Sequence, residues 1–531
     1  LPKTKWNRNP TSSKKNSPHA KGLCGELGAI TTCSSSQAST VAHYREVFGP
    51  SVKRNNYNLK VYPTFPFLNF IEWQKAAYIA ENTKVQEFKA FIDQFGKLVN
   101  TLHLADPVSE SPGTLIPSTS YKAYFAHFPE WALNYVLPVM AHTLTGLITG
   151  PLTFNVSLLG WNLKQLRSLT LSSEFPVNAL VNFGESLSCL RVNRFSLKPG
   201  HLVKQTALEK LIKLETLEIL EGAVEDIFLS KIVPKLSEGQ LLPISCLKTY
   251  KFTGAHPNDR RLDVLLSKCT KISSLHLEFP FCYASIPSLR PLKFIASCLQ
   301  RLILNRVTVS DDNVTGTSEV LANLTSLRMF VMRYCRNLVT DYNFLSSFSN
   351  IEVLVIKTSH SDVLAQFKYT DLGKVPIQAP LRQLKLYGRT MDNDQEQLDA
   401  TKLIEELIVP RGYALSTIWL CNCRGPSSLA FEHLLTAETS YALKRVSFRE
   451  NSSISNNIFD VLSTHGSKLE WLNLGETKVC NKESVTVFLK RRANLVAAGC
   501  ENLANLTIVL DEPQRCYINP VLARSALLNI E

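Results

Sequence analysis

The sequence lacks paired cysteines, a long apolar run and an apolar leader. Its 13 cysteines are odd in number and include no C-x-x-C pair, which argues against a disulfide framework and a zinc site and favours reduced thiols. No run of 18 or more apolar residues indicates a transmembrane helix, so no membrane partner is expected. The chain starts at Leu1 without an initiator methionine or a signal core, and we expect a processed or incomplete product located in the cytoplasm or nucleus.

Motifs that carry catalysis are also missing. There is no G-x-S-x-G, P-loop or H-E-x-x-H, and no G-x-G-x-x-G placed between a strand and a helix. The acidic run at 392–396 is similar to a calcium loop but lacks the turn glycine and the closing glutamate, so we interpret it as a solvated insertion. We predict a protein that is not an enzyme and has no cofactor or metal. An enzymatic function would require a site that sequence patterns do not reveal.

Acidic residues are scarce at the start of the chain. Residues 1–60 hold ten Lys and Arg against two acids, a surplus of 8 within a total net charge of +13. This segment is rich in Ser, Asn and Pro, and we predict a flexible basic tail over 1–56. A solvated tail is one interpretation, and contact with nucleic acid or another acidic partner is the other.

The chain is rich in a leucine hexamer of the form L-x-x-L-x-L. The hexamer is intact at Leu166, Leu299, Leu381 and Leu469 and recurs with substitutions from about residue 99 to 508. Most steps between hexamers fit the period of leucine-rich repeats, and an initial gap of 45 residues can hide one degenerate repeat. The fifteen hexamers begin at Val99, Leu144, Leu166, Leu187, Leu214, Leu247, Ile272, Leu299, Leu327, Ile351, Leu381, Leu415, Leu443, Leu469 and Leu503.

Side-chain alternation explains the hexamer. In an extended strand its second and third apolar residues point to one side, into a core, while the first anchors the turn that enters the strand. No single unit can bury its leucines alone, so neighbouring units must stack. We predict an α/β leucine-rich-repeat solenoid, a horseshoe with parallel strands on the concave face and helices or irregular arms on the convex face. The helical spacing of apolar residues at 264–269 and 461–465 supports helical arms between the strands. The alternative to a solenoid is an ordinary parallel sheet.

Three segments are predicted along the chain. The basic tail 1–56 is followed by a capping or linker segment over 57–98, and the solenoid of about 15 repeats covers 99–531. The middle segment combines the short strand Leu59-Lys-Val61 with amphipathic helical stretches that end near Phe88 and Phe91. It leads directly into the first repeat strand.

Two stretches resemble fungal F-box/LRR proteins with cysteine-containing repeats. In that family a short apolar strand and a helix ending in F..F lead from the F-box into the first repeat, as the segment 57–98 does here. The stretch Arg333-Tyr-Cys335-Arg-Asn-Leu338-Val-Thr-Asp341 is similar to the family's C-x-x-(I/L)-T-D turn, with one extra residue. The F-box itself is not recognisable in the sequence. The resemblance implies substrate recognition in a ubiquitin ligase, with an adaptor and a cullin as partners if an F-box exists.

Three cysteines fall near predicted strand ends. Cys335, Cys421 and Cys423 lie at or just beyond their hexamers, where a small buried thiol can replace the usual asparagine of the repeat. We therefore predict that these thiols are buried and reduced.

The residues between the leucines point away from the core and form the concave face. From Leu299 onward these positions hold six basic residues and no acid, whereas earlier ones, such as Ser168, Glu218 and Glu278, are small, polar or acidic. Exposed tryptophan beside arginine is typical of binding hot spots, and Arg and Lys favour carboxylates and phosphates. The predicted partner-binding residues are Arg301, Arg333, Lys357, Lys385, Tyr387, Trp419, Arg445, Arg449 and Trp471.

These positions lead to a functional hypothesis. The C-terminal half of the concave face would bind an acidic or phosphorylated protein segment, with the aromatic residues as anchors. Alternatively, the face is solvated and the aromatic residues cover one another. For the whole protein, a substrate-recognition subunit of an F-box-type ubiquitin ligase is the first interpretation. The second is a non-enzymatic scaffold in a large assembly, such as a nucleoprotein, anchored by the basic tail.

Overall fold

The computed structural model describes most of the repeat region. The predicted tail 1–56, the predicted segment 57–98 apart from residue 93, and the acidic run at 392–396 lie outside the described residues, so their predictions stay open. All described residues belong to the unit Lys60–Glu531. They are 93, 101–104, 122–124, 135, 137–149, 163–183, 185–197, 200–222, 232–233, 246–254, 261–279, 285–286, 288–309, 314–357, 367–388, 398–437, 441–451, 454, 457–465, 468–475, 477 and 506–509.

In the described parts of the chain, sixteen strands form one sheet in which all neighbouring pairs are parallel, and two short strands, β9 and β11, pair separately. In chain order the strands are β1 (Thr101–Leu104), β2 (Lys122–Tyr124), β3 (Gly146–Thr149), β4 (Ser168–Pro176), β5 (Cys189–Ser196), β6 (Thr216–Gly222), β7 (Thr249–Gly254), β8 (Ser274–Glu278), β9 (Ser285–Ile286), β10 (Arg301–Asn305), β11 (Thr308–Val309), β12 (Met329–Arg333), β13 (Val353–Lys357), β14 (Gln383–Tyr387), β15 (Thr417–Cys421), β16 (Arg445–Ser447), β17 (Trp471–Asn473) and β18 (Thr507–Val509).

Each of the fifteen predicted hexamers contains or overlaps a strand of the large sheet. The strands pair in register, so that Leu302 of β10 lies opposite Leu275 on one side and Phe330 on the other. These side chains are fully buried, as are most second and third apolar residues of the described hexamers. The prediction of an α/β leucine-rich-repeat solenoid is therefore confirmed by the chain's own strands.

The strand order at one end of the sheet and the strand register at the other end differ from the sequence prediction. The initial gap of 45 residues does contain a further strand, β2, but β2 pairs with the outer edge of β1, and β1 pairs directly with β3. At the other end, Leu472 lies opposite Ile508, so β18 is displaced by two residues from the register that a hexamer starting at Leu503 implies. Because side chains alternate with a period of two, a shift of two residues leaves each side chain of β18 on the face that the hexamer predicts.

The arms between strands are short helices of several kinds, and the predicted helical stretches at 264–269 and 461–465 are confirmed in large part. Capping by local side chains sets where some begin: the Ser427 Oγ accepts a hydrogen bond from the Ala430 N–H at 3.1 Å. Among the described residues, no helix is long and apolar enough to span a membrane. The α-helical segments are Gln205–Leu211, Arg261–Lys268, Val314–Ala322, Tyr369–Leu372, Ala400–Lys402, Val409–Arg411, Ser428–Thr436 and Ile458–His465; Val177–Asn182, Arg290–Phe294 and Asn343–Ser347 are 3-10 helices, and Leu403–Ile408 is a π-helix.

The core lies between the sheet and the arms as one continuous hydrophobic cluster from Leu137 to Leu506. Aromatic residues fill it where the arms are irregular. The Phe330 ring of β12 packs against Phe344 and Phe348 of the following 3-10 arm, at centroid distances of 5.7 and 5.5 Å. The larger rings thus fill space next to an arm that has only a single short helical segment.

In several repeats, the residue seven positions after the first residue of the hexamer continues the backbone ladder by one further hydrogen bond. Arg306, Tyr334, Asn422 and Glu450 take left-handed conformations there, with φ between 52° and 62°. Their N–H groups donate to a carbonyl of the next strand or its exit, at 2.7–2.8 Å. Non-glycine residues adopt this conformation at a cost, which the additional hydrogen bond between repeats offsets.

One residue further on lies the position that holds asparagine in the repeat signature. Asn451 is fully buried: its Oδ1 accepts from the Cys423 N–H at 2.7 Å, and its Nδ2 donates to the Leu420 carbonyl at 2.9 Å. Cys335 and Cys423 occupy the equivalent position in their repeats and are buried, as predicted. Cys421 is buried too, but it does not replace asparagine, because it lies on the face of β15 that points away from the core, 3.4 Å from the Ser447 Oγ.

We expect Asn451→Ala to lower the free energy of unfolding by about 2–4 kcal/mol, because it leaves the buried Cys423 N–H and Leu420 carbonyl without partners. Guanidinium denaturation measures the change. The control is Asn323→Ala, which removes an exposed asparagine that donates to the Glu319 carbonyl. A loss for Asn451→Ala no larger than that of the control would contradict the role of Asn451 as a bridge between repeats.

Candidate functional site

The candidate site is the open face of the sheet, the side turned away from the core, from β10 to β17. Side-chain alternation places the predicted residues there, and strand pairing aligns them in rows. Arg333, Lys357 and Tyr387 share one row, Lys385 and Trp419 share the middle row, and Arg445 and Trp471 share the third. We call the full set the basic stripe: Arg301, Arg333, Lys357, Lys385, Tyr387, Trp419, Arg445, Arg449 and Trp471.

Part of the open face is not available to solvent. Val331, Val355 and Ser447 of the middle row and Thr417 of the third are buried, although they point away from the core. Neighbouring strands about 4.8 Å apart bring longer side chains next to these small ones, such as Lys385 opposite Val355 and Trp419 opposite Ser447. The surface that a partner could touch therefore includes the long basic and aromatic side chains, beside partly exposed neutral residues such as Met329 and Gln383.

The aromatic residues of the stripe cover one another. The Trp419 and Trp471 rings are tilted by 30° with centroids 5.9 Å apart, and the Tyr387 ring meets Trp419 edge-on at 6.4 Å. All three rings are half-buried. The expectation of an exposed tryptophan beside arginines is therefore corrected: the rings pack as a ladder across β14–β17, because in-register strands bring them within stacking distance.

Two lysines of the stripe lie on these rings. The Lys385 Nζ is 3.7 Å from the centroid of Trp419, and the Lys357 Nζ is 4.7 Å from the centroids of both Tyr387 and Tyr334. Such cation–π contacts hold a long, otherwise mobile side chain in place.

Tyr334 was not among the predicted site residues. Its ring receives Lys357 on one side, and the Arg306 guanidinium lies 5.7 Å from its centroid. It reaches the site only because the left-handed backbone turns it back toward the neighbouring strand. The sequence feature that could have indicated Tyr334 as a site residue is its position directly after Arg333, at the end of the strand.

The electrostatic environment disfavours the charged form of Lys385. Burial lowers the pKa of its ammonium group below the ordinary value of 10.5, and the positive charges of Arg333 and Arg445 lower it further. Burial also raises the pKa of the Tyr387 hydroxyl, which stays neutral. The site thus concentrates positive charge around a partly desolvated cation.

Most cations of the stripe have no acidic partner among the residues whose structure is described. Arg449 forms a salt bridge with Glu450, at 3.3 Å between Nε and Oε1. Within the described part of the chain, no salt bridge involves the other five, which are Arg301, Arg333, Lys357, Lys385 and Arg445. The Trp419 Nε1 is also buried without an acceptor among the described residues.

The earlier half of the open face is different, because it carries the acidic residues Glu218 and Glu278, and each of them pairs with a neighbouring side chain. Arg191 of β5 forms a salt bridge with Glu218 of β6 at 3.0 Å, and the His276 Nε2 lies 3.3 Å from the Glu278 carboxylate, which also accepts from the Asn305 amide. The hydrogen bond from His276 is the main cause of the lowered pKa of Glu278. The two halves therefore differ in their acidic residues: the earlier half has acids paired with Arg191 and His276, whereas five cations of the later half form no salt bridge with a described acid.

The described residues offer no obvious site for a metal. No group of three or more His, Cys, Asp and Glu side chains in the described ranges is placed to hold an ion. No disulfide joins the described cysteines to one another, and burial raises the pKa of the Cys269 thiol to about 12, so this thiol stays protonated.

Comparison with known proteins adds no family. No protein-family profile matches the chain, and no curated protein matches it. Among solved structures, the APL1 leucine-rich repeat domain is 12% identical, with 74% of this chain and 89% of that chain covered and a TM-score of 0.32. A chain of the mouse RP105/MD-1 complex is 13% identical over 78% and 90%, with a TM-score of 0.33. A chain of the Drosophila Toll–Spatzle complex is 10% identical over 68% and 47%, with a TM-score of 0.37.

We expect that Arg333→Gln and Arg445→Gln each raise the pKa of Lys385 toward its ordinary value, because each removes a repelling charge. The ¹³Cε chemical shift of Lys385, assigned through its loss in Lys385→Arg, reports the titration. Arg301→Gln is the control, since it removes the same charge outside this group. An unchanged Lys385 pKa in both test variants would refute the predicted coupling.

Proposed function

We propose that this chain is a non-enzymatic protein-recognition solenoid whose basic stripe binds an acidic or phosphorylated segment of another protein. The observation that carries the proposal is the charge imbalance of the stripe, in which five cations make no salt bridge with a described acid. Like charges held on adjacent strands repel one another. An incoming anion would relieve this repulsion and gain charge-assisted hydrogen bonds.

The arrangement supports recognition by several weak contacts rather than one deep pocket. The cations are distributed over strands β10 to β16, and long side chains form the accessible surface between buried small ones. Arginine can bind a carboxylate or phosphate through two parallel hydrogen bonds, whereas lysine acts as a point charge. The stripe provides both kinds of donor.

The more specific proposal is substrate selection in an F-box-type ubiquitin ligase, with an adaptor and a cullin as further partners. It rests on the resemblance of the segment 57–98 and of the Cys335 turn to fungal F-box/LRR proteins. The burial of Cys335, Leu338 and Val339 in that turn supports the second half of this resemblance. The structure of the segment 57–98 is not described apart from residue 93.

The alternative is a scaffold within a large assembly, anchored to nucleic acid by the basic tail. It is favoured by the surplus of 8 positive charges in residues 1–60. Binding of this kind would depend steeply on salt, because phosphate contacts release counterions.

The combined substitution Arg333→Glu, Lys385→Glu and Arg445→Glu should abolish binding of acidic peptides and leave the melting temperature nearly unchanged, because these side chains contribute charge to the open face and little to the core. Fluorescence anisotropy with labelled eight-residue glutamate and phosphoserine peptides measures the affinity. The matched control is Arg167→Glu, Lys271→Glu and Arg382→Glu, which changes exposed basic residues outside the stripe by the same total charge. Equal binding by both triple variants would overturn the proposal.

A pull-down with the full chain separates the two whole-protein proposals. Recovery of a cullin and its adaptor is expected for the ligase. Salt-sensitive retention on RNA or DNA that disappears on removal of residues 1–60 is expected for the scaffold. Failure to recover a cullin and adaptor under conditions that recover a known F-box protein would contradict the ligase proposal.

A further inference from the structure

Four cations of the stripe that form no salt bridge with a described acid follow an oblique line across the sheet. Arg333 and Lys357 are the last residues of β12 and β13, Lys385 is the central residue of β14, and Arg445 is the first residue of β16. Strand pairing fixes these offsets, because Arg333 lies opposite Lys357 and Lys385 lies opposite Val355, two residues before Lys357. From β12 to β16, each successive cation therefore lies either at the same height along its strand as the one before it or closer to the start of its strand.

The length of this line matches a short extended peptide. Strands about 4.8 Å apart and a rise of about 3.3 Å per residue separate the Cα atoms of Arg333 and Arg445 by about 19 Å across the sheet and about 13 Å along it. The straight distance is therefore about 23 Å, which an extended chain of about eight residues spans. A helix of that length would need about fifteen residues.

The other two cations lie off this line. Arg301 is the first residue of β10, at the opposite end of its strand from the position that Arg333 holds on the neighbouring β12. Arg449 lies beyond the end of β16 and pairs with Glu450. The line is therefore a subset of the predicted site, defined by geometry and by the absence of an acidic partner among the described residues.

The two lysines on the line are already fixed in place. Lys357 is held between Tyr334 and Tyr387, and Lys385 lies over Trp419. A partner that binds them loses less side-chain entropy on association than one that binds mobile lysines. The aromatic residues thus act as platforms for the cations, rather than as anchors for the partner.

The same contacts favour a protein segment over a single-stranded nucleic acid. Proteins that bind single strands without sequence preference stack bases on open aromatic faces. Here Lys385 lies at 3.7 Å from the Trp419 centroid and Lys357 at 4.7 Å from that of Tyr387, while Trp471 packs on Trp419. Base stacking on these faces would displace contacts that the structure already makes.

We infer that the partner is an extended acidic segment of about eight residues that lies obliquely across β12–β16, its acidic groups meeting Arg333, Lys357, Lys385 and Arg445 in that order. This inference rests on the proposed function. The group that is recognised is the anionic oxygen of a carboxylate or of a phosphorylated hydroxyl. These acidic groups are carried by every second residue of the extended segment, because such residues share one face.

Double-mutant cycles between protein and peptide test the path. The probes are fluorescein-labelled eight-residue peptides with glutamate or phosphoserine at positions 1, 3, 5 and 7 and alanine elsewhere. Each acid is replaced in turn by glutamine or serine, and each cation by Arg333→Gln, Lys357→Gln, Lys385→Met or Arg445→Gln. Each cation variant should weaken binding about tenfold, and coupling should be strongest for pairs matched in order along the line. Arg167→Gln, the matched control, removes an exposed arginine outside the stripe and should change affinity less than twofold.

The outcomes separate the inference from the proposed function. Binding with couplings that follow no order, or an Arg167→Gln effect equal to the others, would overturn the oblique path and leave acidic recognition standing. Failure of both glutamate and phosphoserine peptides to bind at low salt would overturn the proposed function itself. Ordered coupling with either peptide supports the inference, and the tighter of the two identifies the preferred anion. Tighter binding of a single-stranded RNA oligomer through the same four cations would overturn the choice of a protein partner.

Discussion

In-register pairing of parallel strands is the constraint on which the other features depend. It places Leu302 between Leu275 and Phe330, and in the same way it stacks each buried side chain on its equivalents in the neighbouring repeats. The ladder extends past the strand ends through the left-handed exit residues and the buried bridge from Asn451. Because each repeat is stabilised by its neighbours, this single pairing rule determines both the core and the layout of the open face.

The same rule has an electrostatic consequence for the open face. Side chains that repeat at one position lie about 4.8 Å apart, so like charges in one row are forced together. The earlier strands resolve this by pairing opposite charges, as Arg191 and Glu218 do. The later strands instead interleave cations with rings, as Lys385 and Trp419 do. The ring faces stabilise the lysines but do not neutralise them, and a positive surface remains.

The strand positions and the side each residue faces could be predicted from the sequence, because both follow from apolar residues at fixed spacing. The place of β2 could not, since pairing on the outer edge of β1 depends on contacts distant in sequence. Burial of Val331 and Val355 on the open face depends on the height of neighbouring side chains. The contact of Tyr334 with Lys357 depends on a left-handed backbone that only the folded turn reveals. Arg449 was assigned to the site by alternation, yet it pairs with the adjacent Glu450.

The uniform strand spacing also bears on how such a surface can change during evolution. Each repeat adds one strand and one set of open-face positions, while the core contacts it makes are of the same kind as those of its neighbours. Duplication or loss of a repeat between β12 and β16 would therefore lengthen or shorten the separation of Arg333 and Arg445 across the sheet in steps of about 4.8 Å. Recombination within the gene could in this way change the length of the peptide segment that fits between these two residues, without requiring a new type of core packing.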